Sequence, residues 1–287
     1  MCRFLVYKGR EIFMSDLITR PEHSLIHQSF KAEERKEPLN GDGFGVGWYV
    51  PEVDPSPCVF TSVRPAWSER NLQRLAEKTR SGCLFAHVRA ATPGTHVMEL
   101  NCHPFVYDRY LFMHNGSIAE FKSVKRAIRE RLSDERYDWV AGTTDSELIF
   151  GLFLDRLLGA SDGNGGDAMR AALIATIREL EAVLAEHAVT RPSHFNFAVT
   201  DGVHVVATRY VTHSERQPPS LYVCRGEEFG VGDGSYRMQA ADGEDQAVII
   251  ASEPITEDRT GWERIPGHHL ISIDPDCRVR LDPLAVE

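Results

Sequence analysis

Hydrophobic residues along the chain form two kinds of pattern, short apolar runs and longer stripes of helical period. Apolar runs rich in β-branched and aromatic residues predict strands. These runs are CRFLVYK at 2–8, FGVGWYV, CLFAHVRAAT at 83–92, RYLFMHNG at 109–116, FNFAV, VHVVATRYV, SLYVCR, AVIIAS, HHLISID and CRVRLDPL. Stripes with apolar residues three and four apart predict helices. They cover residues 68–82, 121–132, 143–158 and 168–188.

The order of these elements predicts the fold class. Strands come in groups separated by groups of helices, without a regular alternation of strand and helix. Such an order favours antiparallel sheets with helices packed outside them, an α+β architecture. The run SDGNGGD at 161–167 predicts a loop, and Asp201-Gly202 predicts a hairpin turn. In the helix over 68–82, Ser68 is the expected N-cap and Gly82 the expected stop.

Composition and charge exclude several classes of function. The 287 residues carry a formal net charge of −10 and are 42% hydrophobic. This length allows a well-buried core, and the acidic balance argues against nonspecific binding to nucleic acid or anionic membranes. No apolar run approaches the roughly 20 residues of a membrane span, and no signal peptide is recognisable. We therefore expect neither a nucleic acid nor a membrane as partner.

The six cysteines are scattered and form no C-x-x-C pair. In a chain of this length, such spacing predicts reduced thiols in a cytoplasmic protein, without a disulfide framework. His87, His103 and His114 together with Cys102 could suggest a metal site, but no pair among them has ligand spacing. We expect packed or hydrogen-bonded histidines, and no metal or other cofactor.

Cys2 is the first candidate for chemistry. Removal of Met1 would leave a thiol and an α-amine on the same residue. Because the pKa of an α-amine is about 8, a useful fraction is neutral at pH 7 and can accept the thiol proton. The nucleophile would then carry its own general base. The alternative is an incidental buried thiol in the first strand. Cys102 is a rival nucleophile that lacks such a base.

Four further residues have the chemistry that cleavage of an amide requires. Asn115 and Gly116 end an apolar run and can donate N–H groups to an oxyanion, or they form an ordinary turn. Arg89 follows a strand and can hold an α-carboxylate through two parallel hydrogen bonds, or it is a surface arginine. Asp145 opens a helix and can accept an ammonium group or cap the helix.

The run NGDGFGVGWY at 40–49 invites comparison with a phosphate-binding loop. Its glycines do not follow G-x-G-x-x-G, no Lys-Ser/Thr pair follows, and Asp42 would repel phosphate. We expect these glycines to let the backbone approach the nucleophile and the substrate. A flexible hairpin is the alternative.

Taken in order, these motifs resemble the class II glutamine amidotransferase family, whose catalytic domain is an N-terminal-nucleophile hydrolase. The matching elements are the Met-Cys start, HVRAAT at 87–92, NCHP at 101–104, HNGSI at 114–118 and TTDSE at 143–147. The resemblance implies that Cys2 is the nucleophile and that Asn115 with Gly116 forms the oxyanion hole. It implies that Arg89 and Asp145 hold the two charges of the substrate. The pocket residues that it implies are Asp42, Gly43, Thr92 and His103.

A closer resemblance is to the stand-alone branch of this family, through LITRPEHSLIHQSF, FNFAVTDG and ASEPIT. That branch includes a DUG-type subunit of glutathione degradation and a γ-glutamyl hydrolase of ergothioneine synthesis. The resemblance implies a four-layer αββα sandwich. It also implies a single type-2 amidotransferase domain over residues 2–273, with 274–287 as a C-terminal extension.

The implied activity is cysteine-dependent hydrolysis of the γ-glutamyl amide bond of glutamine or a γ-glutamyl peptide, through a γ-glutamyl thioester. One alternative is a glutaminase subunit that supplies ammonia to a separate acceptor subunit, and another is a catalytically silent γ-glutamyl-binding module. The expected partners are the small-molecule substrate and an acceptor or peptidase-like subunit. The family's synthases resemble this chain less closely, since they carry Trp and His where Ala90 and Pro93 stand. This difference predicts a different rim of the substrate pocket.

Overall fold

The computed structural model describes residues 2–34, 39–91, 96–159, 165–213 and 215–285. In chain order the strands are β1 (Arg3–Phe13), β2 (Phe44–Val50), β3 (Asp54–Ser62), β4 (Arg80–Val88), β5 (Phe105–Tyr107), β6 (Tyr110–Ser117), β7 (His194–Thr200), β8 (Val205–Arg209), β9 (Tyr222–Gly226), β10 (Glu228–Gly232), β11 (Ser235–Gln239), β12 (Ala247–Ala251), β13 (Trp262–Arg264), β14 (His269–Ile273) and β15 (Val279–Pro283). The helices are α1 (Ser15–Ile18), α2 (Leu25–Lys31), α3 (Arg70–Ala76), α4 (Phe121–Arg129), α5 (Asp134–Trp139), α6 (Asp145–Leu158) and α7 (Gly166–Glu186).

Two large antiparallel sheets form the centre of the molecule. The seven-stranded sheet has the order β13-β9-β12-β1-β4-β2-β3, and the six-stranded sheet has the order β15-β14-β8-β7-β6-β5. Helices α1 to α3 cover the outer face of the first sheet, and α4, α6 and α7 cover the outer face of the second. This arrangement is the predicted α+β fold, a four-layer αββα sandwich.

The period of two along β1 explains why the first sheet is buried on both faces. Phe4 and Val6 point toward the second sheet and pack in the core between the sheets. Leu5 and Tyr7 point the other way and pack in the core beneath α1 to α3. Because successive side chains of a strand alternate between faces, an unbroken apolar run fills both cores. Fully burying one such side chain contributes roughly 1.5–3 kcal/mol.

Two predicted helix boundaries were wrong. The helix predicted over 68–82 is only α3, and its N-cap is Glu69, whose carboxylate accepts from Asn71 N at 3.1 Å. Gly82 does not stop the helix but lies inside β4, where a Cβ would come within 2.6 Å of the Gly9 backbone oxygen. The close pairing of β1 and β4 therefore accounts for this glycine.

Several elements escaped the apolar pattern. They are β3, β5, β13, α1, α2, α5 and the separate hairpin of β10 and β11. β3 contains two prolines and no fully buried residue, and it lies at the edge of its sheet. Prolines are tolerated at an edge because no ladder hydrogen bond is needed on the open side. None of the helices in the described part of the chain is long and apolar enough to cross a bilayer.

The hairpin predicted at Asp201-Gly202 is confirmed. β7 and β8 pair on either side of it, and Gly202 has a φ of +88°, a value that favours glycine. Of the loop predicted over 161–167, residues 161–164 lie outside the described residues, and Gly166 already belongs to α7. After residue 273, β15 pairs with β14 at the edge of the six-stranded sheet.

Candidate active site

One end of the seven-stranded sheet gathers residues that the chain separates widely. Arg3 of β1 pairs with Val88 of β4, and Val88 also pairs with Phe44 of β2. Cys2 precedes β1, Arg89 follows β4, and Gly43 precedes β2. Because these strands pair antiparallel, all three residues lie at the same end of the sheet. Cys2 is half-buried, and its thiol donates to the backbone oxygen of Ala90 at 3.6 Å.

Arg89 is 4% exposed and is held by the segment that precedes β2. Its backbone N–H donates to Gly43 O at 2.8 Å, and its guanidinium donates to Asp42 O at 3.3 Å and to His96 O at 3.4 Å. The Asp42 carboxylate accepts from Ala91 N at 2.8 Å and so fixes the turn after Arg89. Within the described ranges Arg89 forms no ion pair. Its buried guanidinium therefore keeps N–H donors that a ligand could use.

Asn115 and Gly116 lie in β6 of the other sheet, opposite Asn196 and Phe195 of β7. Asn115 is fully buried. Its Nδ2 donates to the Ser252 hydroxyl at 3.4 Å, and the same hydroxyl accepts from Phe4 N at 3.0 Å. The two sheets therefore meet here, so that Asn115 and the strand that follows Cys2 share one hydrogen-bond acceptor.

Asp145 is the first residue of α6 and lies directly behind β6. Its carboxylate accepts from Ile118 N at 2.7 Å and from Ser146 N at 2.9 Å. The N-cap of α6 is Thr144, whose hydroxyl accepts from Glu147 N at 3.3 Å. Asp145 is thus not the capping residue, although a carboxylate in the first turn is favoured by the helix dipole. Asp145 is half-buried.

The loop that contains NCHP contacts the TTDSE segment. Asn101 is fully buried, and its amide donates to His96 O at 2.9 Å and to Thr143 Oγ1 at 3.0 Å. Its Oδ1 accepts from Thr143 N at 2.9 Å. These hydrogen bonds of the Asn101 side chain hold the two loops together, next to the segments that carry Arg89 and Asp145.

The three histidines of the motifs are buried and neutral. His87 and His103 stack with ring centroids 4.2 Å apart. Burial lowers the pKa of His87 to about 3 and the pKa of His103 well below its usual value. His114 donates from Nε2 to His194 O at 2.9 Å and accepts at Nδ1 from the Ser146 hydroxyl at 2.9 Å. The prediction of packed or hydrogen-bonded histidines is confirmed. No group of three or more potential metal ligands occurs in the described part of the chain.

Cys102 is a buried thiol beside Gly43. Its Sγ donates to the backbone oxygens of Ser62 at 3.6 Å and Met98 at 3.7 Å. Burial raises the pKa of Cys102 to about 11, so this thiol is protonated at neutral pH. Gly43 has a φ of +112°, and a Cβ there would come within 2.8 Å of the Cys102 sulfur. A glycine is therefore required where this thiol packs.

The glycines of β2 allow close approach of other segments. A Cβ on Gly45 would come within 2.1 Å of the His103 backbone oxygen, and one on Gly47 within 2.7 Å of the Leu111 side chain. Gly45 and Gly47 lie within β2, which pairs with β3 as a hairpin. Thr92 lies outside the described residues.

Two neighbours of Cys2 were not singled out from the sequence. Arg3 is 1% exposed, and its Nε lies 2.7 Å from the Glu253 carboxylate while its Nη1 donates to Cys2 O at 3.1 Å. Glu253 is also buried and accepts from the backbone N–H groups of Glu33 at 2.8 Å and Glu34 at 3.2 Å. The available signals were the position of Arg3 next to Cys2 and the run ASEPIT, which contains Ser252 and Glu253.

Sequence comparisons relate this chain to enzymes that act on glutamine or γ-glutamyl groups. The family described as "Glutamine amidotransferases class-II" matches residues 14–282. Probable glutamine amidotransferase DUG3 of Saccharomyces cerevisiae is 43% identical over 292 residues, which cover 95% of this chain and 82% of that protein. The gamma-glutamyl-hercynylcysteine sulfoxide hydrolase of Mycolicibacterium smegmatis is 26% identical over 285 residues, which cover 99% of this chain and 100% of that protein.

Solved structures with the same fold include a glutamine aminotransferase class-II domain protein from Silicibacter pomeroyi. It aligns with a TM-score of 0.68 at 27% identity, covering 99% of this chain and 100% of that chain. Glutamine phosphoribosylpyrophosphate amidotransferase from Bacillus subtilis aligns with a TM-score of 0.61 at 12% identity, covering 100% of this chain and 50% of that chain. The second likeness concerns the fold alone.

Proposed function

The chain belongs to the class II glutamine amidotransferases, and from this membership we propose that it hydrolyses the γ-glutamyl amide of glutamine or of a γ-glutamyl peptide with Cys2 as nucleophile. Its relatives are enzymes of the class II amidotransferase type. The observation that carries the proposal is that Cys2 and Arg89 lie together at one end of the seven-stranded sheet. The Ser252 hydroxyl connects Asn115 of the other sheet to the same end.

In the first step, the neutral α-amine of Cys2, freed by removal of Met1, takes the thiol proton. The sulfur attacks the γ-carbonyl carbon, the C–N bond breaks, and the leaving nitrogen takes up the proton. A γ-glutamyl thioester remains on the enzyme. A water molecule then attacks the thioester carbon, glutamate leaves, and the thiol regains its proton.

Cys2 suits this role better than Cys102. Cys2 is half-buried and its thiol has one long contact, with Ala90 O, among the described residues, whereas Cys102 is 3% exposed and its pKa is raised to about 11. Because the thiolate is the reactive form, a thiol that is buried and protonated is a poor nucleophile. The self-supplied amine base is also specific to position 2.

The oxyanion that forms on the γ-carbonyl needs N–H donors already in place. The proposed donors are the Asn115 side chain and the Gly116 backbone. A side chain on Gly116 would come within 1.9 Å of His194 O, so the pairing of β6 and β7 requires a glycine there. One oxyanion donor is typically worth about 10²–10³ in kcat.

The charged head group of the substrate is assigned to Arg89 and Asp145. The Arg89 guanidinium makes two long contacts with backbone oxygens and, in the described ranges, none with a carboxylate. It can therefore take an α-carboxylate in two parallel hydrogen bonds. The Asp145 carboxylate already accepts from Ile118 N and Ser146 N, and it has lone pairs left for an ammonium group.

The remaining pocket residues have supporting roles in this proposal. Asp42 and Gly43 fix the backbone around Arg89, and His103 forms a neutral, buried wall beside His87. The role of Thr92 rests on the HVRAAT motif alone. We propose that residues 2–273 form one amidotransferase domain and that 274–287 is its C-terminal extension, whose strand β15 pairs with β14. An acceptor or peptidase-like subunit is the proposed macromolecular partner.

We further propose that the preferred substrate is a γ-glutamyl peptide, not free glutamine. The Mycolicibacterium smegmatis relative, which matches over the whole of its length, is named as a hydrolase of a γ-glutamyl compound larger than glutamine. Ala90 supports this preference, since its small side chain stands where the family's synthases have an indole, on the residue whose backbone oxygen accepts from the Cys2 thiol. The name of the yeast relative favours the second candidate, a glutaminase subunit that supplies ammonia to a separate acceptor subunit.

Intact-mass spectrometry after incubation with a glutamine-mimicking diazoketone tests the proposal. We expect one adduct, located at Cys2, on a chain that has lost Met1. Cys58, the exposed cysteine, serves as an internal control for nonspecific labelling. An adduct at another cysteine, or retention of Met1 with no adduct at Cys2, would overturn the assignment of the nucleophile. Retained Met1 would favour the catalytically silent binding module.

A further inference from the structure

Ser252 directly follows β12 in the run ASEPIT and continues the pairing between β12 and β1. Its backbone N–H donates to Phe4 O at 3.0 Å. Its hydroxyl accepts from Phe4 N at 3.0 Å, so the side chain takes the place of a strand partner at the start of β1. Ser252 is fully buried, and its backbone oxygen accepts from the Ser220 hydroxyl at 2.9 Å. The position of its hydroxyl is therefore fixed relative to the strand that Cys2 begins.

The same hydroxyl contacts the side chain of Asn115, which comes from the other sheet. Asn115 Nδ2 donates to Ser252 Oγ at 3.4 Å, and this is the only side-chain hydrogen bond of Asn115 in the described part of the chain. Its Oδ1 is buried and has no hydrogen-bond partner there. A buried amide with a single anchor depends on that anchor for its orientation.

We propose that Ser252 is a positioning residue, which fixes the side-chain amide of Asn115 at a set distance and orientation from Cys2. The inference rests on the proposed function and deepens it. The amide has two N–H hydrogens, of which one donates to Ser252 and the other is left for the oxyanion. Phe4 is two residues from Cys2, so one hydroxyl ties the oxyanion donor to the nucleophile across the interface of the two sheets.

The role predicts a particular kinetic signature. The oxyanion exists only in and around the transition state. A misplaced Asn115 should therefore stabilise the transition state less and leave substrate binding in the ground state unchanged. Loss of the Ser252 hydroxyl should therefore lower kcat while KM stays the same. A general disturbance of the fold would alter both constants, or lower Tm without any specific effect on kcat.

The first experiment compares Ser252→Ala with Ser81→Ala, using a γ-glutamyl p-nitroanilide as substrate. Ser81 is a matched control, because it is 2% exposed and its hydroxyl also ties strands of the same sheet, donating to Tyr49 O at 2.9 Å. It lies at the start of β4, away from Arg89. We expect Ser252→Ala to lower kcat about tenfold or more, a fraction of the loss of a whole oxyanion donor. Ser81→Ala should keep the parental kcat, and Ser252→Thr should restore most of the lost rate.

A double-variant cycle separates positioning from structural support. If Ser252 acts through Asn115, then Ser252→Ala should lower kcat no further once Asn115→Ala is present. Additive losses would overturn the inference, and so would parental kcat in Ser252→Ala. If Ser252→Ala does not fold, Ser252→Cys keeps the volume with a weaker acceptor and should lower kcat in the same cycle.

The outcomes of this test are distinct from those of the proposed function. A parent chain that lacks amidase activity, or that retains it after Cys2→Ala, contradicts the proposed function. A Cys2-dependent parent whose kcat is indifferent to Ser252→Ala leaves the proposed function standing and contradicts only the positioning role.

Discussion

Arg89, which we propose binds the substrate carboxylate, and Arg209, which ties loops together, are both buried but differ in their hydrogen bonds. Arg209 ends β8 and is 2% exposed. Its guanidinium donates to the backbone oxygens of Pro219 at 2.8 Å, Ile265 at 2.6 Å and Pro218 at 2.9 Å. Burial lowers its pKa to about 10, so it stays charged at neutral pH. Each of its nitrogens therefore has a short, fixed partner within the protein.

Arg89 has the same burial but poorer hydrogen bonds. Its guanidinium contacts two backbone oxygens at 3.3 and 3.4 Å, beyond the usual range of about 2.7–3.2 Å. A buried cation with unfilled donors is costly unless a ligand completes its shell. The comparison teaches that the lengths of the hydrogen bonds, and not burial, distinguish the proposed binding arginine from the arginine that ties loops together.

The largest effect should come from the thiol beside Arg89. We expect Cys2→Ala to abolish hydrolysis of the γ-glutamyl amide with little change in Tm, because it removes one half-buried sulfur at the start of a strand. Cys2→Ser should lose most of the rate, since a hydroxyl is far less acidic than a thiol. Steady-state kinetics and thermal unfolding provide the two readouts.

Cys102→Ala is the matched control for that experiment, because Cys102 is a second thiol near the same edge. It should keep the parental kcat, and full activity in Cys2→Ala with loss in Cys102→Ala would reverse the assignment. That result would also remove the reason to associate Arg89, rather than Arg209, with the chemistry.

Replacing the two arginines by lysine tests the comparison itself. Arg89→Lys keeps the charge but loses the two-pronged contact with a carboxylate. A hydrogen bond to a charged group is worth about 1.5–3 kcal/mol, so we expect KM to rise about 10- to 100-fold with a small change in Tm. Arg209→Lys should leave KM at the parental value and lower Tm, since it removes fixed contacts with three backbone oxygens. An equal effect of both variants on KM would break the comparison.

Asp145, the proposed partner of the substrate ammonium group, provides a second test of the contrast between Arg89 and Arg209. Asp145→Asn should raise KM as Arg89→Lys does. Free glutamate should protect Cys2 from alkylation in the parent and in Arg209→Lys, but not in Arg89→Lys or Asp145→Asn. Equal protection in all four proteins would mean that the head group is bound elsewhere.

The buried His87, two residues before Arg89, predicts how the stability of this region depends on pH. Burial lowers the pKa of His87 to about 3, below the value of about 6.5 in the unfolded chain. Between these values the unfolded state binds a proton that the folded state does not. The stability that depends on neutral His87 is therefore complete above pH 6.5 and falls by about 1.4 kcal/mol per pH unit below it.

Urea unfolding of the parent and of His87→Gln from pH 7 to pH 4.5 measures this dependence. Carboxylates titrate in both proteins, so the difference between the two slopes isolates His87. We expect a shallower loss of stability on acidification in His87→Gln, whatever its absolute stability. Parallel curves would show that His87 is not held neutral in the folded protein.

Much of the fold follows from local patterns. The sequence predicted β1, β4 and β6 because they are apolar runs that are buried in the folded protein. It predicted the helices α6 and α7 because their apolar residues recur three and four apart. β3 was missed because an exposed edge strand with two prolines lacks that signal. The boundaries of α3 were misjudged because Gly82 was interpreted locally, whereas its cause is the backbone of a paired strand.

The site was predictable to the extent that its motifs end or begin regular elements. Cys2 could be named because it directly follows Met1, and Arg89 and Asn115 because each stands at the end of an apolar run. Ser252 could not be named, since its role depends on the pairing of β12 with β1, a contact between segments about 250 residues apart in the chain. Such long-range pairings are set by the whole sandwich and leave no local period in the sequence.

The smallest expected effect concerns the leaving group, at the residue that follows Arg89. Ala90 is half-buried and its backbone oxygen accepts from the Cys2 thiol, so this residue neighbours the proposed nucleophile. An indole there would reduce the space for a bulky amine on the scissile nitrogen but would leave room for the primary amide of glutamine. We expect Ala90→Trp to lower kcat/KM for glutathione several-fold more than kcat/KM for glutamine, because overpacking of a filled site costs about 1–3 kcal/mol.

The matched control is Ala91→Trp, at the next half-buried position, which should not discriminate between the two substrates. The measurement should be made with and without an added acceptor or peptidase-like subunit. If glutamine is the better substrate of the parent in every condition, and Ala90→Trp affects both substrates equally, the region around Arg89 serves an ammonia-supplying subunit. In that case the head group would still bind at Arg89, and only the preference for a γ-glutamyl peptide would be wrong. The contrast with Arg209 would therefore survive, because it concerns how the carboxylate is held and not which amine departs.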